Sequence, residues 1–197
     1  MCGIAGSVGV FDEGVASAVR RAHDQHRHRG PDAEGIFTHR QPGTENGVVL
    51  AHRRLAVIDL RPESTQPMRD PANDCRIVFN GEAYNYRALR TELEAEGALF
   101  RTQSDTEVVL KAWGAWGPAM VSRLAGMFAL AVWDPRRDEL FLARDKMGIK
   151  PLYTAEVEHR GQRLLLFASE VRSLLATGLV ERRIDPVGLA TYLWNGF

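Results

Sequence analysis

Met1-Cys2-Gly3-Ile4-Ala5-Gly6-Ser7-Val8-Gly9 opens the sequence. From Gly3 onward the residues are small or apolar, a run that reads as a buried strand. Cys2 therefore stands one residue ahead of an element tied into a core. Termini are usually loose, and a small residue at a frayed end would mean nothing; the strand that follows argues against that reading here. A second residue as small as cysteine permits enzymatic removal of Met1. The mature chain would then begin with a cysteine whose own α-amine lies beside its thiol. A free α-amine titrates near ~8 and can act as a base around neutral pH. The thiolate it would generate is the nucleophile, so no histidine is needed for activation.

Outward from this strand, Val15, Ala18, Val19 and Ala22 recur at helical spacing within residues 14–27. Arg29-Gly30-Pro31-Asp32 is a turn signal, and strand-like runs follow at 34–39 and 47–52. Residues 61–74 are rich in Pro, Asp, Asn and Ser and read as a loop, and Cys75 is read as lying in a polar loop and takes no role. Residues 76–79 form a strand that is expected to end at Asn80-Gly81, a strong turn pair. A helix begins near Asn85, with Tyr86, Leu89 and Leu93 on one face and Gly97 as its stop. Ser104-Asp105-Thr106-Glu107 fits a capping box ahead of a second helix. Strands at 127–133, 139–143 and 163–168 complete the pattern, the first two joined by a turn at 135–138. Hairpin-linked strands with a few helices among them favour an α+β fold of antiparallel sheets covered by helices over a doubly wound parallel sheet.

Composition narrows the function. The 197 residues carry 25 Lys+Arg and 25 Asp+Glu, a formal charge of zero that suggests no nucleic-acid or anionic-membrane surface. No apolar run is long enough to span a bilayer, and the first residues lack the basic start and apolar stretch of a signal peptide. The sequence reads as cytoplasmic, with Cys2 and Cys75 as free thiols. His23, His26 and His28 invite a metal, but their spacing spreads them around a helix rather than along one face, so none is expected. Asp185-Pro186-Val187-Gly188-Leu189 opens a last helix as the sequence runs out. Residues 1–184 read as one domain, and 185–197 as a linker and the first helix of another.

Three further positions could carry chemistry. Asn80, Gly81 and Glu82 follow a strand; the first two either make a hairpin turn or donate a side-chain amide and a backbone N–H to an oxyanion. Arg54, at the end of a strand-like run, is either an exposed arginine or a two-pronged clamp for a carboxylate. Asp105, in the first turn of a helix, favours the helix dipole and could equally face a substrate ammonium.

Taken in order, the motifs are Met1–Gly6, Arg27-His28-Arg29-Gly30-Pro31-Asp32, His52–Asp59, Phe79-Asn80-Gly81-Glu82-Ala83-Tyr84-Asn85, Ser104–Glu107 and Arg144–Tyr153. This ordered set resembles the glutaminase domain of glutamine-hydrolysing asparagine synthetase, a class II glutamine amidotransferase, over nearly the whole chain. Ala83 departs from the pattern, where a larger apolar residue is expected. The resemblance implies an N-terminal-nucleophile hydrolase fold, a four-layer αββα sandwich with two stacked antiparallel sheets. It implies that Cys2 attacks the side-chain amide of L-glutamine, with Asn80 and Gly81 as the oxyanion hole. It further implies that Arg54 holds the substrate α-carboxylate, Asp105 and Glu82 its α-ammonium, and that backbone at Val57 and Ile58 lines the pocket. The ammonia would pass to a C-terminal synthetase domain. That domain's Ser-Gly-Gly-x-Asp-Ser loop is missing from these residues, so ATP and magnesium are expected only there and no cofactor is expected here. The acceptor could be aspartate or another carboxylate, the domain could have become a silent interaction module, and homodimerisation is left open.

Overall fold

Nine strands and five helices, described over residues 1–196 in a computed structural model, build the chain. The first strand, β1 (Gly3–Val10), is followed by helix α1 (Glu13–Asp24), β2 (Ala33–Arg40), β3 (Asn46–Arg54) and a two-residue β4 (Met68–Arg69). Then come β5 (Arg76–Ala83), α2 (Tyr86–Ala95), α3 (Asp105–Trp116), β6 (Gly126–Asp134) and β7 (Glu139–Arg144). A hairpin of β8 (Tyr153–His159) and β9 (Gln162–Ala168) precedes α4 (Val171–Ala176) and α5 (Pro186–Asn195).

All strand pairs are antiparallel. One sheet runs β2-β3-β1-β9-β8 and the other β4-β5-β6-β7. Three apolar clusters fix the layers. Ala5, Val49, Ala51, Leu164 and Leu166 of the first sheet pack on Val15, Val19 and Ala22 of α1 and Leu174 of α4. Ile77, Phe79 and Leu130 of the second pack on Leu89 and Leu93 of α2 and Val109 and Trp113 of α3. Ile4, Val48, Leu50 and Phe167 meet Val78, Ala129, Ala131 and Trp133 between the sheets. The result is the expected α+β sandwich of four layers, helix-sheet-sheet-helix.

Each strand alternates its side chains between faces. Ile4, Val48, Leu50, Val78 and Ala129 are inward residues, so the same alternation aims Cys2, Arg54, Asn80, Glu82 and Met127 into one end of the inter-sheet space. The active-site geometry is thus a continuation of the core pattern, with polar residues substituted at its mouth.

Several expectations need correction. Asn80-Gly81 does not turn; β5 continues through it, with Asn80 opposite Ala129 and Gly81 opposite Phe128. Long-range pairing with β6 outweighs the local turn preference. Cys75 is fully buried in the core under α3 rather than in a polar loop. α1 ends at Asp24, so His26 and His28 lie in turns beyond it. Only half of the capping box forms: Ser104 Oγ accepts from Glu107 N at 3.2 Å, whereas the Glu107 carboxylate accepts from Arg101 N at 2.9 Å and Thr102 N at 2.6 Å. β8, which alternates Glu156 and Glu158 with half-buried Val157 at a sheet edge, carries too weak an apolar signal to be read from sequence. α4, with six residues, is too short for helical periodicity to appear. α5 has no buried residue, and no helix among the described residues is long and apolar enough to cross a membrane.

Gly6 shows how tightly β1 is packed between its two neighbours in the first sheet. A Cβ there would be driven into the Val49 carbonyl oxygen and the Phe167 ring. Gly6→Ala is expected to lower stability by ~1–3 kcal/mol through overpacking, read as a lower urea midpoint with an unchanged slope. An unchanged midpoint would show that the Phe167 ring and the β3 backbone can give way here without loss.

Candidate active site

At the open end of the inter-sheet space lies a cavity of about 180 Å³. Cys2, Arg54, Val57, Ile58, Asn80, Gly81, Glu82 and Asp105, each singled out from sequence, line it together. They come from four separate segments.

Cys2 is placed by its neighbours. Its Sγ accepts from Leu55 N at 3.4 Å and lies 3.7 Å from Leu55 O. Its carbonyl accepts from Arg29 Nε at 2.8 Å. Gly3 then begins β1, where a Cβ would lie 2.5 Å from the His26 Cβ. Burial pushes the Cys2 thiol above its ordinary range, opposed by the Leu55 backbone bond, the amino terminus and Arg54.

Arg54 is buried and orders the loop after it. Its Nη1 donates to Arg61 O at 3.1 Å and its Nη2 to Asp59 O. Ala56 N donates to Asp32 Oδ2 at 2.8 Å on the far side of the loop. Asp59 holds a positive φ of 53°, and its Oδ2 accepts from Gln103 N at 2.6 Å. The Arg61 guanidinium keeps the Asp59 carboxyl well below the usual carboxylate range. This one loop therefore ties the strand bearing Arg54 to the segment that leads into Asp105.

β5 supplies the donors. Ile77 pairs with Met68 along its outer edge, Phe79 N donates to Gln66 Oε1 at 2.5 Å, and Ala83 N donates to Asp105 Oδ2 at 3.1 Å. Backbone N–H groups alternate between edges along a strand. Gly81 N–H, lying between Phe79 and Ala83, faces the same edge and opens on the cavity. Its lack of a side chain is required, because a Cβ would meet the Met127 carbonyl oxygen and lie 2.7 Å from Phe128 Cα. The Asn80 side-chain nitrogen is buried and has no hydrogen-bond partner. An unpaired buried amide is costly, so a donor left this way points to a missing acceptor.

Asp105 opens α3 and is buried; burial pushes its carboxyl up, opposed by the Ala83 N–H. Sequence reasoning gave no role to Gln66, Met127 or Lys150, which also line the cavity, or to Arg29 behind Cys2. Gln66 acts as a substitute strand beside Phe79, and only the folded edge reveals that. Arg29 and Lys150 sit inside recognised motifs that carried no individual signal. The histidines are structural: His23 Nε2 contacts His52 O at 3.1 Å and His26 Nε2 contacts Ser173 Oγ at 2.8 Å. Burial pushes His26 down to about 4. Among the described residues no cluster of His, Cys, Asp or Glu is arranged to hold a metal ion.

A cysteine one residue ahead of a central strand, at the mouth of a cleft between two helix-covered antiparallel sheets, defines the N-terminal-nucleophile fold. Glutamine phosphoribosylpyrophosphate amidotransferase from Bacillus subtilis, solved with ADP and GMP, shares it with a TM-score of 0.71 at 21% identity, over 94% of this chain and 46% of that one. The model of the glutamine amidotransferase domain matches residues 1–197, and the chain belongs to that family of enzymes. Asparagine synthetase [glutamine-hydrolyzing] 3 of Bacillus subtilis is 38% identical over 195 residues, covering 96% of this chain and 30% of its own length. Asparagine synthetase B [glutamine-hydrolyzing] of Escherichia coli is 38% identical over 169 residues, 86% of this chain and 28% of its own length. The chain thus spans under a third of the curated relatives it matches.

The two thiols should differ sharply in reach. Cys75 is pushed up to about 12 by burial and is sealed in the core. Iodoacetamide is expected to alkylate Cys2 alone in the native protein and both cysteines in urea, as read by peptide mass spectrometry. Because the Cys2 thiol is raised, its rate should keep climbing with pH beyond the point where a free cysteine levels off. Native labelling of Cys75 would contradict the burial described.

Proposed function

We propose that this chain hydrolyses L-glutamine to L-glutamate and ammonia with Cys2 as nucleophile, once Met1 has been removed. The observation that carries this reading is the convergence of a thiol, an unpartnered amide donor, a buried arginine and a buried carboxylate in one cavity. Each matches one part of glutamine. Arg54 retains a second hydrogen on each terminal nitrogen for a carboxylate. Asp105, with Glu82 beside it, faces an ammonium. The two contacts fix the substrate at its α-carbon, with Val57 and Ile58 along the wall, and leave the side-chain amide to reach the thiol.

In the proposed cycle the freed α-amine of Cys2 takes the thiol proton and the thiolate attacks the amide carbon. Negative charge builds on the amide oxygen, where Asn80 Nδ2 and Gly81 N–H stabilise it; each such donor contributes about 3 kcal/mol to lowering the barrier. The amine returns the proton to the departing ammonia. Water then attacks the thioester and releases glutamate. Nucleophile, base and oxyanion donors come from the protein, so this half-reaction calls for neither ATP nor magnesium. By analogy with relatives of more than three times its length, the ammonia would serve an ATP-dependent synthetase domain that converts aspartate to asparagine. Exposed α5 would be the lead into that domain. The cytoplasm is the compartment proposed for this chemistry, since a free cysteine must stay reduced.

Cys2→Ala, or retention of Met1, is expected to abolish glutamate release while the circular dichroism spectrum is kept; near-full activity in either would sink the proposal. Asn80→Ala should lower kcat far more than it raises KM, since the donor acts on charge that develops in the transition state. Glutamine α-carboxamide should be a poor substrate for the wild type, and Arg54→Ala should narrow the gap between it and glutamine in kcat/KM. Equal discrimination by both enzymes would remove Arg54 from the clamp.

A further inference from the structure

We infer that Glu170 is a positioning residue for the nucleophile, acting through Arg29; the inference rests on the glutaminase reading of Cys2. Neither Glu170 nor Arg29 lines the cavity. Glu170 sits at the turn from β9 into α4, more than 160 positions from Cys2 in sequence.

The connection runs through two bonds. Glu170 Oε1 accepts from Arg29 Nη1 at 3.0 Å, and Arg29 Nε donates to the Cys2 carbonyl at 2.8 Å. The Arg29 side chain is 8% exposed, its Nη2 is buried without a partner, and Glu170 is the acid it pairs with. A buried guanidinium without its counter-ion is strongly unfavourable. Loss of the Glu170 charge would therefore draw Arg29 toward water and off the Cys2 carbonyl. Glu170 is itself held: its Oε1 also contacts His28 Nε2 at 2.9 Å, and its Oε2 accepts from Arg172 Nε at 2.5 Å.

The neighbours of Glu170 grip the next residues of β1. Ser169 Oγ accepts from Ile4 N at 3.0 Å, and Ser169 N donates to Ile4 O at 2.9 Å. Ser173 Oγ meets His26 Nε2 at 2.8 Å, and the His26 side chain closes against Gly3. One short segment, Ser169–Ser173, thus contacts Cys2, Gly3 and Ile4 in turn, directly or through one side chain. Ile4 is already fixed by sheet pairing with His52, whereas Cys2 precedes the strand and has no ladder of its own. Its carbonyl is held by Arg29, which makes Glu170 the member of this segment that acts, through Arg29, on Cys2 itself.

The test compares wild type, Glu170→Gln, Glu170→Asp, Arg29→Lys and the double variant Arg29→Lys/Glu170→Gln. Active sites are counted by covalent labelling with a diazoketone analogue of glutamine, and kcat is expressed per labelled site. In Glu170→Gln this kcat should fall about tenfold to a hundredfold, the usual consequence of a slightly misplaced reacting group. KM for glutamine should stay within about twofold, because no cavity contact is lost. Glu170→Asp, which keeps the charge, should recover part of the loss. Arg29→Lys should match Glu170→Gln, and the double variant should be no worse than either single, because both break one chain. An unchanged kcat per labelled site, with only fewer sites taking label, would make Glu170 a scaffold residue and overturn the inference. Additive losses in the double variant would overturn it too. If Glu170→Gln does not fold, Glu170→Asp and Arg29→Lys carry the same per-site comparison. A wild type that neither releases glutamate nor takes label at Cys2 would refute the glutaminase reading, an outcome separate from any of these.

Discussion

The antiparallel pairing of β1 with β3 on one side and β9 on the other is the constraint on which the rest depends. It sets Gly3 opposite Arg53 and Ala5 opposite Ala168, so the residue just before the strand cannot wander. Strand alternation does the remainder. The inward positions that fill the sandwich with Ile4, Val78 and Ala129 become, one step further along, Cys2, Asn80 and Met127, and Leu50 leads through buried His52 to Arg54. A one-residue slip of β1 would turn the thiol toward the helix layer and exchange the residues that meet the second sheet with those that meet α1 and α4. The energy that fixes the register is that of the core, and the site inherits its precision from it.

The cavity is lined by groups that the fold leaves incompletely paired. Asn80 has a buried amide nitrogen with no acceptor, Gly81 presents an edge N–H, and burial raises Asp105. Such groups cost stability in the empty protein. They are tolerated because their surroundings are overdetermined. Gln66 closes the sheet edge at Phe79, Asp59 ties the loop after Arg54 to Gln103, and Asp145 accepts from Phe128 N and Lys150 N at 3.1 and 3.0 Å behind β6. Under the proposed chemistry, donors held in this way would need no rearrangement when charge develops between them.

Elements with strong local signals were legible in the sequence. β1, β3 and β6 carry long apolar runs, α1 buries one clear face, and α3, buried nearly all round over its first two turns, is marked by Ser104 at its N-cap, so their places were read correctly. The residues singled out from sequence do line one cavity: thiol, guanidinium and carboxylate stand at strand or helix ends, whereas the amide of Asn80 lies in the middle of β5. Where reading failed, distant partners had decided the outcome. Asn80-Gly81 is a turn pair that the ladder with β6 holds straight. Cys75 sits after a polar loop, yet the folding of α3 over it removes it from water. Glu107 looked like half of a local cap and serves instead to bind the backbone at Arg101 and Thr102.

By itself, then, the sequence determined the alternating pattern that makes two antiparallel sheets, the cysteine just ahead of the first strand, and the thiol, guanidinium, amide and carboxylate side chains that line the cavity. These are local properties, written in residue type and short-range spacing. Only the tertiary structure decided that the four segments meet in one cavity, that Gly81 faces an open edge, and that Arg29 and Glu170 stand behind the cysteine. Each of those facts depends on contacts between residues tens to more than a hundred positions apart. Such contacts are set by the stacking of the sheets, which no short window of sequence encodes.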